Sequence, residues 1–510
     1  MHLKNYLPDL AIIFISFLLA LFAYRQILNV SLTPEDFEYI SKARILETGD
    51  LFKIFLPPVL GGTEVIFRRL TPFVVLSFWA DSKISLNAFH YHLTLFLFHL
   101  GNIFLLYLLA KKLFKKSNRI FHSIVVSACV FFFAVFPYHS ETVSWNAARL
   151  DMMAAFFYLL SLYFYILYME SKKHLFPSVI FFLIAIFSKE NALTFPIVAV
   201  LFALFLFRKI YWKSLLPFVI VILLWLFSTI LKNFHAGGCF LNCNQFLISR
   251  VFLLYLMSSV VLLVFLKVLR LRKTGRLLFF WLIFGLLFSP TIFLPTSERY
   301  LYLPSVTLSL FFGEALIIFY NRISKFFSTT TLRTILVSIV SLTIFLEISL
   351  LYIRNHRWVV AGAIIDNVLN QTAIYTQNSD DNSVLYFLNL PNGYRKAYVF
   401  QGRALDEMLK LKGIRFKTMH VISYNLEVGQ SHIKIIDDRT VLVSSETPFI
   451  ILPSETLSHN QDGNPLIETE LFQEIFSNNS HDLQIKFKDQ SLKSNNSYIF
   501  YFDGTSIRII

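Results

Sequence analysis

Residues 334–353 read TILVSIVSLTIFLEISLLYI, an apolar run interrupted by one ionisable side chain, Glu347. A helix of ~20 such residues crosses the ~30 Å hydrocarbon core of a bilayer. At Arg354 the chain changes character. Behind this run lie several others like it; ahead of it no long apolar run recurs, and short alternating runs begin. The stretch is both a membrane span and the boundary between two kinds of sequence.

Working back from it, apolar runs separated by charged or Pro/Gly-containing breaks give about eleven candidate spans. They are Pro8–Leu28, Phe89–Ala110, Ile120–Pro137, Ala147–Tyr168, Leu175–Phe187, Ala192–Phe207, Ser214–Leu231, Val251–Leu266, Leu277–Leu294, Leu301–Tyr320 and Thr334–Ile353. Apolar residues make up 56% of the chain, with 57 Phe, more than one soluble core could cover. The first run is too long for a signal-peptide core and lacks a small-residue cleavage site, so it reads as a retained helix. The net charge of +14 comes from 46 Lys+Arg against 32 Asp+Glu. In a membrane protein that excess belongs to basic loops facing anionic lipid, which argues against nucleic acid as a partner.

The basic loops alternate. Lys111, Lys112, Lys115, Lys116 and Arg119 lie in one, Lys172 and Lys173 in the next of the series, then Arg208, Lys209 and Lys213. Arg270, Arg272, Lys273 and Arg276 follow, then Arg322, Lys325 and Arg333. Lysine and arginine favour the cytoplasmic side, which with Lys4 places the amino terminus inside and everything after Ile353 outside. The expected fold is an α-helical polytopic membrane protein, amino terminus in and carboxy terminus out, with a small β-rich extracytoplasmic domain at its end. The expected division is 1–358 and 359–510, with a long first outer loop at 29–87.

The tail carries short alternating runs: Ser383–Leu390, Met419–Glu427, His432–Ile436, Val441–Ser444, Gln484–Lys488 and Tyr498–Phe502. With turn residues between them they read as strands, and Gly402–Lys412 as a helix. In the first outer loop, Thr33-Pro34-Glu35-Asp36 is a helix start. A capping residue is followed by Pro at the first helical position and acid in the first turn. Tyr39, Ala43 and Leu46 share a stripe and Gly49 ends it. A second apolar run, Leu70–Ala80, is too short to cross the membrane and reads as interfacial. The ordinary reading of Asp36 is a capping box with Thr33; the functional one is a general base at the membrane surface.

Ionisable residues recur at the outer ends of other spans. Phe136-Pro137-Tyr138-His139-Ser140-Glu141 leads to Trp145, Arg149 and Asp151; Ser188-Lys189-Glu190-Asn191 and Ser297-Glu298-Arg299-Tyr300 join later spans. Each pair alone could be a solvated turn. Together they set positive charge on a face where the orienting bias opposes it, and intramembrane charges tend to face a cavity. Arg149 and Asp151, two apart, cannot meet on a helix, so each needs another partner. His92 and His99 share a helix face without a nearby carboxylate, which points to packing and hydrogen bonding rather than metal. Cys239 and Cys243 share one loop, too few ligands for zinc, with a disulfide left open. No GxGxxG, Walker, GxSxG or HExxH motif occurs.

In this order the motifs resemble the GT-C superfamily of polytopic glycosyltransferases. The likeness is to the branch of dolichyl-phosphate-mannose–protein mannosyltransferases and transmembrane-and-TPR O-mannosyltransferases, with their bacterial relatives. It rests on Glu35-Asp36-Phe37-Glu38, Arg69-Leu70-Thr71-Pro72, His92 with His99 and Asn102, and residues 133–145. Arg149-Leu150-Asp151, Ser188-Lys189-Glu190-Asn191, Glu298-Arg299-Tyr300 and Arg354-Asn355 with Trp358 complete it. Glu35 stands where the family has Asp, and the TPR array is replaced by the β-rich tail.

The resemblance implies sugar transfer from a polyprenyl-phosphate donor to an acceptor hydroxyl on a protein, glycan or lipid, with inversion. The site would face outward from the plasma (inner) membrane. Asp36, with Glu35 beside it, would be the base. Arg149 and Arg299 would neutralise the leaving phosphate, assisted by Lys189 or Arg69. Asp151, Glu190, Tyr300, His92, His139 and Glu141 would complete the donor site. No metal ligands are named; a divalent cation is left open because GT-C branches differ. A lipid-linked glycan polymerase or ligase is the rival enzyme, and a lipid or glycan flippase the rival of another class.

Overall fold

The computed structural model describes residues 3–56, 71–114, 119–236, 275–291, 297–402, 404–450, 458–460, 464–477, 479–488 and 497–510. Arg68 and Arg69, Cys239 and Cys243, and the run Val251–Leu266 lie outside the described residues. Contacts divide the chain into two compact units. One comprises Met1–Leu28 and Lys42–Asn355, the other Asn29–Ser41 and His356–Ile510.

The first unit is helical. Among the described residues of the whole chain, eight helices are long and apolar enough to cross a membrane; Leu175–Ile186 and Gly275–Thr291 are shorter apolar helices. Their outer surfaces would be untenable in water: Leu7, Leu10, Phe14 and Phe22 are exposed on Leu3–Tyr24, as are Leu223, Leu224 and Phe227 on Leu216–Ala236. Such continuous exposed apolar faces suit lipid. Inside, the helices approach through small and polar residues. Ser161 Oγ donates to the Ser178 carbonyl at 2.7 Å and Ser178 Oγ to that of Ser161 at 2.8 Å, joining Arg149–Ser171 to Leu175–Ile186. A ring cluster of Phe133, His139 and Tyr302 ties Arg119–Ala134 to Tyr302–Ile323, with His139 and Tyr302 centroids 4.4 Å apart.

The helix that begins before the sequence-defined span runs from Thr329 to Tyr375. This corrects the expected break at Arg354. Polar residues there end the hydropathy signal, yet Trp358, Ala361, Ile365, Val368 and Thr372 are buried and recur at helical spacing. The amphipathic period carries the helix on after the lipid-facing composition has stopped. Similarly, the first-loop helix ends at Arg44, short of Gly49, and a 3-10 turn follows at Thr48–Phe55.

In the second unit the tail forms two principal sheets. The first has strand order Ile507–Ile509, Ser497–Phe502, Val384–Pro391, Thr418–Asn425 and Phe449–Ile450. Its central strand is parallel to both neighbours. The second sheet is antiparallel, running Ser431–Asp437, Thr440–Ser445, Asp482–Phe487, Phe472–Phe476, Pro465–Glu468 and Ser458–His459. Leu388, Val441, Val443, Leu483, Ile485 and Ile499 fill the apolar core. The alternation along Asp482–Phe487 puts Leu483, Ile485 and Phe487 inward, as period-two packing requires.

Candidate functional site

In the helical unit, charged side chains gather where apolar helices begin or end. Arg149 opens the helix Arg149–Ser171 and is fully buried. Its Nη1 donates to Asp81 Oδ2 at 2.6 Å and to Ser77 Oγ at 3.0 Å; its Nη2 donates to the Tyr91 carbonyl and to Asn146 Oδ1. Its guanidinium lies 4.1 Å from the Phe78 ring centroid. Asp81 also accepts from Thr94 Oγ1 at 2.9 Å. Asn146 Nδ2 lies 3.2 Å from His92 Nδ1, so His92 belongs to this polar group.

A second group surrounds Asp151, one face of the helix away. Lys189 Nζ meets Asp151 Oδ1 at 2.5 Å, both side chains being 5% exposed. Arg299 Nε lies 3.8 Å from Asp151 Oδ2 and its Nη1 3.6 Å from Glu141 Oε1. Glu141 is held in turn by Ser297 Oγ at 2.6 Å and the Glu298 amide at 2.8 Å. Arg299 sits over the Trp145 ring at 4.7 Å, and Lys189 over the Tyr300 ring at 4.9 Å. Arg354 pairs with Glu298 and lies over Tyr138. Glu190, partly exposed, opens the 3-10 turn Glu190–Thr194. Two cations and two carboxylates thus form one linked network. Arg299, with 21% of its side chain exposed, is its most accessible member.

Further along these helices a small, wholly apolar cavity is lined by Leu109, Tyr158, Leu162, Leu303, Thr307 and Leu310. Tyr158 and Leu162 follow Asp151 on its own helix at spacings that return to the same face.

His139 lies apart from both groups. Its Nε2 is 2.7 Å from Ser305 Oγ within the ring cluster. His99 bridges the Tyr302 hydroxyl and the Ala134 carbonyl. Among the described residues no group of three or more His, Cys, Asp or Glu is arranged to hold a metal ion.

In the second unit, the acidic turn of the first loop is built as a capping box. Asp36 N donates to Thr33 Oγ1 at 3.1 Å and Thr33 N to Asp36 Oδ2 at 3.0 Å. Asp36 is buried, at 1% exposure, and Glu35 partly so. The ordinary reading of Asp36 is therefore observed, and any chemistry must coexist with it.

Sequence reasoning missed Asp81 and Thr94. Asp81 is the residue immediately after the apolar run that ended at Ala80, and an acid on the buried side of such a run was the available signal. The expectation that Arg149 and Asp151 need separate partners is met by Asp81 and Lys189. No family model matches this chain, and no curated protein matches it by sequence.

Proposed function

We propose that this protein is a membrane glycosyltransferase that takes a sugar from a polyprenyl-phosphate donor. The chain would carry about eleven spans with its amino terminus cytoplasmic, placing the site and the β-rich domain on the outer face of the plasma (inner) membrane. The observation that carries the reading is the Lys189–Asp151–Arg299–Glu141 network, buried at the ends of apolar helices. Buried ionisable groups at membrane helix ends are costly, and they are kept where a polar ligand must be handled.

The roles divide as follows. Asp36 takes the proton of the acceptor hydroxyl as its oxygen attacks the anomeric carbon. The bond from that carbon to the phosphate oxygen breaks, and configuration inverts. Negative charge grows on the departing phosphate, so Arg299 and Lys189 stabilise the transition state more than the bound donor. Each cation now shares a carboxylate, and an incoming phosphate competes with Asp151 and Glu141 for it. Both terminal nitrogens of the buried Arg149 donate to protein groups, so its role is to fix Asp81 and Asn146 rather than to touch the donor. Tyr300 and the indole of Trp145 lie against these cations, and Glu190 follows Lys189 at the start of the next turn.

The test is sugar release in detergent from a panel of polyprenyl-phosphate sugars, comparing wild type with Asp36→Asn and Glu35→Gln. Asparagine keeps an acceptor oxygen for the Thr33 amide, so the cap survives while the base is lost. Removal of a general base lowers turnover by about 10²–10⁴-fold. Activity lost in Asp36→Asn and kept in Glu35→Gln assigns the base to Asp36. The reverse moves it to Glu35, and full activity in both removes the acidic turn from the chemistry.

A further inference from the structure

The β-rich domain and the acidic turn belong to one compact unit, although they stand at opposite ends of the sequence. They approach closely at Gly402. Its φ is +113°, a backbone conformation that side chains rarely adopt, and the space beside it is filled. A Cβ there would lie 2.6 Å from Glu35 Cα and 2.8 Å from the Pro34 carbonyl carbon. Both atoms are backbone, so no flexible side chain can swing aside.

The path from sheet to turn is short. Val399 N donates to the Asn392 carbonyl at 3.0 Å and Phe400 N to that of Pro391 at 3.2 Å, anchoring the segment to the strand Val384–Pro391. Gly402 comes two residues later, and the helix Leu405–Leu411 follows. A second glycine makes a similar approach. A Cβ on Gly362, in the long helix, would lie 2.7 Å from Val30 Cγ1 and 3.0 Å from Ser31 N. The segment that leads into the acidic turn and the turn itself are thus both seated on glycine backbone of the carboxy-terminal part.

We infer that the β-rich domain sets the position of the Glu35–Asp36 turn through Gly402, which makes Gly402 a positioning residue for the base. The inference rests on the transferase reading for its catalytic half; the contact stands without it. On this account the domain is part of the catalytic apparatus rather than an appended binding module.

The chain supplies its own controls. Gly504 has the same φ of +113°, and a Cβ there would lie 2.8 Å from Gln430 Cα, within the domain and away from the acidic turn. Gly413 has a φ of +82° with nothing within 4 Å of the added atom. Comparing Gly402→Ala with Gly504→Ala and Gly413→Ala therefore separates contact with Glu35 from general strain. The measurements are hydrogen exchange at the amides of residues 35–41 in the full-length protein in detergent, and kcat, KM and the pH profile of transfer.

Gly402→Ala should speed exchange at residues 35–41 about tenfold, with a comparable fall in kcat and little change in donor KM. Its pH profile should shift, because the base changes surroundings. Gly504→Ala and Gly413→Ala should leave all of these at wild-type values. Exchange at 35–41 unchanged in Gly402→Ala, or changed equally in Gly504→Ala, overturns the contact. Faster exchange with kcat and pH profile intact overturns the positioning role. If Gly402→Ala does not accumulate, Gly362→Ala is the milder variant, and it must move the same amides in the same direction. A wild-type protein that transfers no sugar overturns the transferase reading, and exchange at 35–41 still decides the contact.

Discussion

Asp81 and Arg149 offer the sharpest energetic test of the helical unit. Their side chains are 8% and 0% exposed and meet at 2.6 Å. Surface pairs of this kind contribute about 0–1 kcal/mol, because water screens the charges and the side chains lose freedom on pairing. Here screening is absent. Asp81→Ala leaves the Arg149 guanidinium with Ser77, the Tyr91 carbonyl, Asn146 and the Phe78 face, none of which carries negative charge. An uncompensated buried charge costs about 3–5 kcal/mol. Arg149→Met strands Asp81 in the same way, with the Thr94 hydroxyl and His90 at 3.4 Å as its remaining polar neighbours. The double variant removes both charges. Its cost should fall below the sum of the single costs by about 2 kcal/mol or more. The assay is reversible unfolding of the purified protein by titrating a denaturing detergent into mixed micelles, at low salt and at 0.5 M salt. Salt should change the coupling little, because a buried pair is poorly screened. Additivity within about 0.5 kcal/mol, or a cost for Asp81→Ala near the surface value, would refute the reasoning.

Gly313→Val should pry Tyr302–Ile323 from Arg119–Ala134. An added Cβ overlaps Cys129 Sγ and comes within 3.3 Å of Phe114 and Val125. Overpacking of this size costs about 1–3 kcal/mol, and the check is faster thiol labelling at the otherwise buried Cys129, followed by mass spectrometry. Asp503→Asn tests the last hairpin. Burial raises its carboxyl pKa, but the Thr505 and Ser506 amides, with Arg508 and the Thr505 hydroxyl, outweigh this and hold it well below the usual range. A depressed folded pKa gives stability that is present above the unfolded value and lost as pH falls toward the folded one. Wild type should therefore show hydrogen-exchange protection at residues 497–510 that weakens below about pH 4, and Asp503→Asn a lower protection at neutral pH with a flatter profile.

Features whose causes are local were legible in the sequence. Period-two alternation anticipated Val384–Pro391, Thr418–Asn425, Thr440–Ser445 and Ser497–Phe502 to within a residue or two. The Thr33–Asp36 box was readable for the same reason, since both partners lie within one helical turn. Hydropathy found the apolar helices but lost Thr329–Tyr375 at Arg354, because it measures lipid exposure and not the amphipathic period that continues beyond. Asp81 escaped because its meaning lies in Arg149, on another helix. The spacing of Arg149 and Asp151 required two partners, yet nothing in the sequence says that Lys189 is one of them. Sheet order was hidden too: Val384–Pro391 lies between Ser497–Phe502 and Thr418–Asn425, and a strand does not announce its neighbours.

The same distinction changes how Asp36 is understood. From sequence, capping and catalysis look like competing explanations, and the hydrogen bonds of the capping box establish the first. Physically they support one another. A carboxylate that accepts from the Thr33 amide has one oxygen fixed and its rotamer chosen, and a base needs that fixity if it is to meet a bound hydroxyl at hydrogen-bond distance. The cap orients the side chain within its turn, and Gly402 seats the turn against the sheet. Neither contact alone implies chemistry, since helix starts and close-packed glycines occur in proteins of every function. What gives them a direction is that both converge on an acidic pair, within a chain that keeps Lys189, Asp151, Arg299 and Glu141 linked at the ends of its apolar helices. The cost of burying those charges needs a reason, and the phosphate leaving group of the proposed reaction would supply one.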